Sequence, residues 1–212
     1  MQIPSNLIPK CSDDHSDVTM NLRADDTFVE DEGWHKASET YYHSLRREAF
    51  CNRYQKDFEL KPMRGNIETR IRKVYESDLD ATIMAEAGIK RLNLTKYIKQ
   101  VFSLDYITPP AGQGALAIIT RKDSDKKEAI SKLNDYTSMQ EVFAEKKVLE
   151  ELGVGCQWPI GSIARMKENQ FNIYSILLTK EGNILKEQTE KGSIKNAVEL
   201  GKKIGRLFED YV

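Results

Sequence analysis

The chain has 212 residues, 40% of them hydrophobic and 31% charged, enough to bury one large core or two small ones. Lysine and arginine together number 32 and aspartate and glutamate 33, so no global field selects nucleic acid or an anionic membrane, and any anion site has to come from local clustering of arginine. No apolar run approaches the ~18 residues of a membrane span, residues 1–18 lack the basic-then-apolar order of a signal peptide, and the three widely spaced cysteines, Cys11, Cys51 and Cys156, argue for a reducing, cytoplasmic setting over a disulfide framework.

Residues 1–40 read as polar and irregular, with one short strand near 27–29. From Ser44 the spacing of Leu45, Ala49, Phe50 and Tyr54 predicts a helix over 44–56. A short strand at 59–63 leads into the turn Arg64-Gly65-Asn66, where Asn66 is placed to cap a helix whose buried face is Ile67, Ile71 and Val74. A buried strand follows at 80–84, then helices at 85–92 and 95–102. The breaker cluster Pro109-Pro110-Ala-Gly-Gln-Gly114 precedes a strand at 114–120, and amphipathic helices are predicted at 123–134 and 138–152. Beyond Gly153 three strands (161–166, 171–179, 183–190) are joined by short turns, with Lys180-Glu-Gly-Asn183 as a hairpin signal, and a helix over 194–211 ends the chain. The fold class expected is α/β, followed from about residue 135 by a small three-stranded α+β unit.

Three constellations could carry chemistry. Arg46, Arg47, Arg64, Arg70 and Arg91 recur at turns and helix ends, where a βα rhythm lines them along one rim of a sheet and helix N-termini add donors for anions. Guanidinium groups pair carboxylates in a bidentate way, so a polycarboxylate cleft is one reading and a solvated basic surface the other. Cys156 sits in a tight loop bounded by Gly155 and Pro159, either as an accessible nucleophile or as a small buried residue. The glycines of the 109–114 cluster suit a hinge or a close approach of backbone to ligand, and no Gly-Lys-Ser/Thr follows to make it a phosphate loop. Asp80 is a possible catalytic carboxylate, more simply an ion-pair partner. His15, His35 and His43 form no pair at metal-binding spacing, so no metal site is expected.

Taken in order, these segments resemble the porphobilinogen deaminase (hydroxymethylbilane synthase) family. Ser44-Leu-Arg-Arg47 looks like the family's Ser-Leu-Arg-Arg, and Arg64-Gly-Asn-Ile-Glu-Thr-Arg70 is similar to its Arg-Gly-Asn-Val-x-Thr-Arg. The stretch from Asp80 to Arg91, Pro110-Ala-Gly-Gln-Gly-Ala115 and Val154-Gly-Cys-Gln-Trp-Pro-Ile-Gly161 each resemble a family motif, and the likeness runs from about Ile3 to the C-terminus.

The resemblance implies an enzyme that joins four porphobilinogen units to hydroxymethylbilane with release of ammonia, in the synthesis of haem and other tetrapyrroles. It implies a dipyrromethane cofactor on a thioether to Cys156, held by Ser44, Arg46, Arg47, Arg64, Arg70 and Gly88, with substrate carboxylates on Arg64, Arg70, Arg91, Gln113 and Gly114. It implies a periplasmic-binding-protein-like α/β domain at 20–108, a remnant of a preceding domain at 1–19, a hinge and return segment at 109–133 that exposes an apolar edge at 115–120, and a cofactor-attachment domain at 134–212. Members are usually monomeric, and a separate N-terminal domain is the partner expected for a truncated chain. Gln2 falls where the family carries its catalytic aspartate, and an amide cannot shuttle a proton. Tyr42-His43 stands for Thr-Ser, and Trp158 for a smaller residue. The alternatives are a non-catalytic fragment or binding module that keeps the polycarboxylate cleft, and an unrelated α/β ligand-binding domain.

Overall fold

The alternation of short apolar runs with helical periodicity up to residue 92 folds into one mixed sheet with helices between its strands. A computed structural model describes residues 15–16, 26–30, 39–42, 44–54, 58–77, 79–155 and 158–212. Strand β1 (His15–Ser16) pairs antiparallel with β7 (Thr120–Arg121). Strands β2 (Asp26–Glu30), β3 (Glu39–Tyr42), β4 (Glu59–Pro62), β5 (Ala81–Ala85) and β6 (Gln100–Val101) form a five-stranded sheet in the order β4-β3-β5-β2-β6. β3 runs parallel to β4 and β5, whereas β2 is antiparallel to β5 and β6. The centre is β5, whose Ala-Thr-Ile-Met run is buried throughout because both faces of the sheet are covered there. Helices α1 (Leu45–Tyr54), α2 (Ile67–Glu76) and α3 (Glu86–Arg91) connect these strands, and Ile71, Met84 and Ile89 form the core beneath α2 and α3.

The C-terminal part is an antiparallel meander of β8 (Ile160–Lys167), β9 (Gln170–Leu178) and β10 (Ile184–Gly192), in the order β10-β9-β8, with α5 (Tyr136–Glu151) and α6 (Ala197–Phe208) packed against it. The period of two along β9 decides what each face meets. Phe171, Ile173 and Leu177 join Ala144 and Val148 of α5 and Ile204 and Phe208 of α6. Tyr174, Ile176 and Leu178 point the other way, into a core with Ala49, Phe50 and Cys51 of α1, Ile83 of β5, and Phe102 and Ile107. Cys51 is fully buried there, as a structural residue would be; Cys11 lies outside the described residues. Tyr54 and Tyr106 stack in this core with ring centroids 3.8 Å apart. The Lys180–Asn183 hairpin docks on the end of α1, where Asn52 Nδ2 donates to Lys180 O at 2.7 Å. A Cβ at Gly182 would stand 2.3 Å from the Arg53 backbone nitrogen, so only glycine fits.

Several elements differ from the sequence expectation. β1 lies within the stretch read as irregular and β3 starts at its end. The segment 95–102 is a single 3₁₀ turn at Thr95–Tyr97 followed by β6, because the outer edge of β2 recruits Gln100 and Val101 as a strand. The strand expected at 114–120 enters a ladder only at Thr120 among the described residues, and Leu116, Ile118 and Ile119 are 42%, 37% and 40% exposed. The helix expected at 123–134 shrinks to α4 (Lys127–Ser131), since the hydrogen bonds Ser124 N to Arg121 O and Lys127 N to Ser124 O spend the preceding residues on turns.

Helix α5 starts two residues earlier than the pattern predicts because Asp135 caps it, its Oδ1 accepting from Ser138 N at 2.6 Å. The Ser138 backbone N–H, and after it the Ser138 side chain, hold the Asp135 carboxyl below the usual carboxylate range. A depressed carboxyl pKa adds stability above its unfolded value and loses it as pH falls through the folded value. Asp135→Ala is therefore expected to cost ~1 kcal/mol near neutrality. In urea unfolding the gap from the parent chain should close as pH is taken below about 4.

Candidate anion-binding site at the start of α1 and α2

Helix α1 begins at a serine whose Oγ accepts the Arg47 backbone N–H at 3.3 Å, so Ser44 serves first as an N-cap. Arg46 and Arg47 follow in the first turn and are only 4% and 9% exposed. Cations are disfavoured both by burial and by the positive end of the helix dipole, so this placement needs electron-rich partners. Arg46 finds one in the carbonyl oxygen of Thr108, to which its Nη1 donates, and its guanidinium also lies 5.9 Å from the centroid of the Phe50 ring.

Helix α2 starts from the turn at Gly65. Asn66 Oδ1 accepts from Thr69 N at 2.8 Å, bearing out its role as cap. Arg70 Nε donates to Gly65 O at 2.8 Å and Lys73 Nζ to Arg64 O at 3.3 Å, which folds both cations back over the helix start. Burial, and after it the charge of Arg47, pushes the Arg70 guanidinium below its ordinary pKa. The two guanidiniums thus act on one another although they belong to different helices. Two like charges brought together beside two helix N-termini make this the candidate anion site.

The remaining predicted residues fall around this pair. Arg64 is exposed in the turn before α2, and Arg91 is exposed in the last turn of α3, making no hydrogen bond or ion pair among the described residues. Gly88 packs α3 onto α2: a Cβ there would lie 2.4 Å from Ile67 Cδ1. Asp80 immediately precedes β5 and is half-buried. Gln113 and Gly114 are half-buried in the hinge loop, where Gln113 N donates to Pro110 O at 3.0 Å. Cys156, Gln157 and Gln2 lie outside the described residues. On either side of the cysteine, Trp158 N donates to Gly155 O at 3.3 Å, and Ser162 N, just inside β8, donates to Pro109 O at 2.9 Å. The hinge loop therefore joins the Arg46 helix on one side to the root of the cysteine loop on the other.

Two residues that the sequence reading missed hold this junction. Glu145 of α5 is fully buried and accepts Gly112 N at 2.7 Å and Ala164 N at 2.6 Å; one turn earlier, Glu141 accepts Met166 N at 2.7 Å. The outer edge of β8 is thus covered by side-chain carboxylates and by Pro109 O. The available signal was an acid repeated at i,i+4 inside the apolar stripe of a helix. Among the described residues no group of three or more His, Cys, Asp or Glu could hold a metal, and no helix is long and apolar enough to cross a membrane.

Residues 12–129 match the family model described as porphobilinogen deaminase, dipyromethane cofactor binding domain, and residues 139–210 match the porphobilinogen deaminase C-terminal domain. The chain belongs to the porphobilinogen deaminase family. A probable porphobilinogen deaminase of Methanothermobacter thermautotrophicus is 53% identical over 169 residues, covering 80% of this chain and 58% of that protein. A probable porphobilinogen deaminase of Archaeoglobus fulgidus is 38% identical over 160 residues, 75% of this chain and 55% of that one. The porphobilinogen deaminase of Syntrophomonas wolfei is 37% identical over 164 residues, 77% of this chain and 54% of that one. The chain spans between half and three-fifths of the length of these porphobilinogen deaminases.

Proposed function

We infer that this chain is the cofactor-bearing part of a porphobilinogen deaminase, a transferase that links four porphobilinogen units into hydroxymethylbilane and releases one ammonia per unit. The observation that carries this is the gathering of Arg46, Arg47 and Arg70 at two helix starts, with Arg46 on Thr108 O of a loop that reaches the root of the Cys156 loop. Each pyrrole of substrate or product carries an acetate and a propionate, so a growing chain needs several fixed cations.

The residues present fit a dipyrromethane. Its four carboxylates suit the largely buried Arg46 and Arg47 and the half-buried Arg70, with Ser44 and Arg64 beside them, and its thioether suits Cys156. When bound, such a group supplies the terminal pyrrole to which the substrate is added. The protein's own part is to hold and orient carboxylates on Arg46, Arg47, Arg64, Arg70 and Arg91, to keep Gln113 and Gly114 at the hinge, and to let Gly88 bring α3 close behind the start of α2. The mixed sheet supports a periplasmic-binding-protein-like lobe at 20–108, a hinge at 109–133 and an attachment domain at 134–212, with a separate N-terminal domain as partner. A second reading, a binding module without turnover, is favoured by Gln2, which puts an amide where the resemblance calls for an acid.

The test is the intact mass of the full chain after incubation with porphobilinogen or with preformed hydroxymethylbilane. A pyrrole adduct that reacts with Ehrlich's reagent and is absent in Cys156→Ala is the expected result. An unmodified mass after both treatments overturns the cofactor-bearing reading. An adduct without turnover selects the binding module.

A further inference from the structure

Consecutive residues of α5 meet the hinge loop in opposite ways. Glu145 is spent on structure, with both carboxylate oxygens on backbone N–H groups. Lys146 lies over the same glycine: where a Cβ of Gly112 would stand, Lys146 Cε is 3.1 Å away and its Nζ 3.8 Å, with Val142 Cγ1 at 3.6 Å. Gly112 has φ +79°, which favours glycine, and the Lys146 stem packs over it with Cε nearer than Nζ, so the ammonium is carried beside the loop.

We propose that Lys146 is a further carboxylate-binding residue of the cleft, taking an acetate or propionate of a pyrrole that lies against the hinge loop. This rests on the polycarboxylate reading of the Arg47–Arg70 pair. Three observations carry it. Lys146 is half-buried yet has no ion pair among the described residues, whereas its neighbour Lys147 reaches Glu150 and Glu151, each at 3.1 Å. An ammonium on a half-buried stem, with no ion pair among the described residues, is available to an incoming carboxylate. The ammonium is also presented from a fixed place, because Glu145 ties the loop to α5 and to β8 at once, and a ligand group held by a rigid support loses little on binding. Finally, Arg46 engages the same loop at Thr108, four residues away. The backbone from Thr108 to Gly112 spans at most ~14 Å, so cations of α1 and α5 engage one short loop.

The experiment is a fluorescence titration of the full chain with uroporphyrin I, a stable tetrapyrrole bearing acetate and propionate on every ring. Lys146→Met keeps the apolar stem and removes the charge; it is expected to weaken binding about tenfold, the loss of one charge-assisted contact, and to make binding less sensitive to salt. Lys146→Arg restores affinity, and Lys147→Met, which removes a charge already neutralised, leaves it unchanged. If Arg47→Ala weakens binding while Lys146→Met binds as the parent does, the inference about Lys146 falls alone. If Lys146→Arg fails to restore affinity, its charge is not what binds and the inference falls as well. If the parent chain does not bind uroporphyrin, or Arg47→Ala binds it equally well, the polycarboxylate reading falls and takes this one with it.

Discussion

Glu145→Ala is expected to lower the free energy of unfolding by about 3–5 kcal/mol, read as a fall in the urea midpoint at unchanged slope. The carboxylate is fully buried and satisfies two backbone donors that belong to different segments, Gly112 in the hinge loop and Ala164 in β8. Alanine leaves both N–H groups without an acceptor, and a buried donor left unmade costs more than the bond it lost was worth. Glu145→Gln separates the two links. A glutamine oxygen can accept from one N–H, but its amide then turns a donor toward the other. It should fall between parent and alanine, with amide exchange accelerated at Gly112 or at Ala164 but not at both. A loss below ~1 kcal/mol for Glu145→Ala would mean that the loop and β8 find other acceptors, and that the carboxylate does not hold the junction.

Arg70→Glu is expected to reduce affinity for a pyrrole polycarboxylate by about a hundredfold or more, and with it any adduct on Cys156. Burial and the neighbouring Arg47 both disfavour the charge on Arg70, and a bound carboxylate relieves both. Reversing the charge removes one ligand of the anion and offers Arg47 an internal partner that competes for it. Arg72, half a turn further along α2, is exposed and pairs with Glu76 at 3.6 Å, so Arg72→Glu controls for net charge and should bind as the parent does. Equal affinity in Arg70→Glu would show that Arg70 is no ligand of the anion.

Much of the architecture was legible because the period of the apolar residues survives in each long element: α1, α2, β5, the meander and the last helix lie where the pattern puts them. The exceptions share a cause. Glu-Thr-Tyr-Tyr of β3 is too short and too mixed to announce a strand, and it exists because β4 and β5 flank it. Gly114–Thr120 carries the composition of a strand, but a strand requires a neighbour and only Thr120 has one. The cations of the site were legible by identity and not by environment. Nothing in Arg46 and Arg47 distinguishes them from Arg64 and Arg91 until folding buries the first two, Arg46 against Thr108 O. Glu145 was legible as an acid in the apolar stripe of α5 but not by its role: the donors it accepts from are backbone groups, which leave no trace in the letters.

The core that joins Phe50 and Ile83 to Ile176 and Leu178 crosses the boundary between the two matched family regions. Its consequence is cooperativity. The helix that carries the buried arginines and the sheet that follows the cysteine loop share side chains that neither can bury alone, so melting one exposes the other. Separating the two regions would cost the apolar burial of both partners.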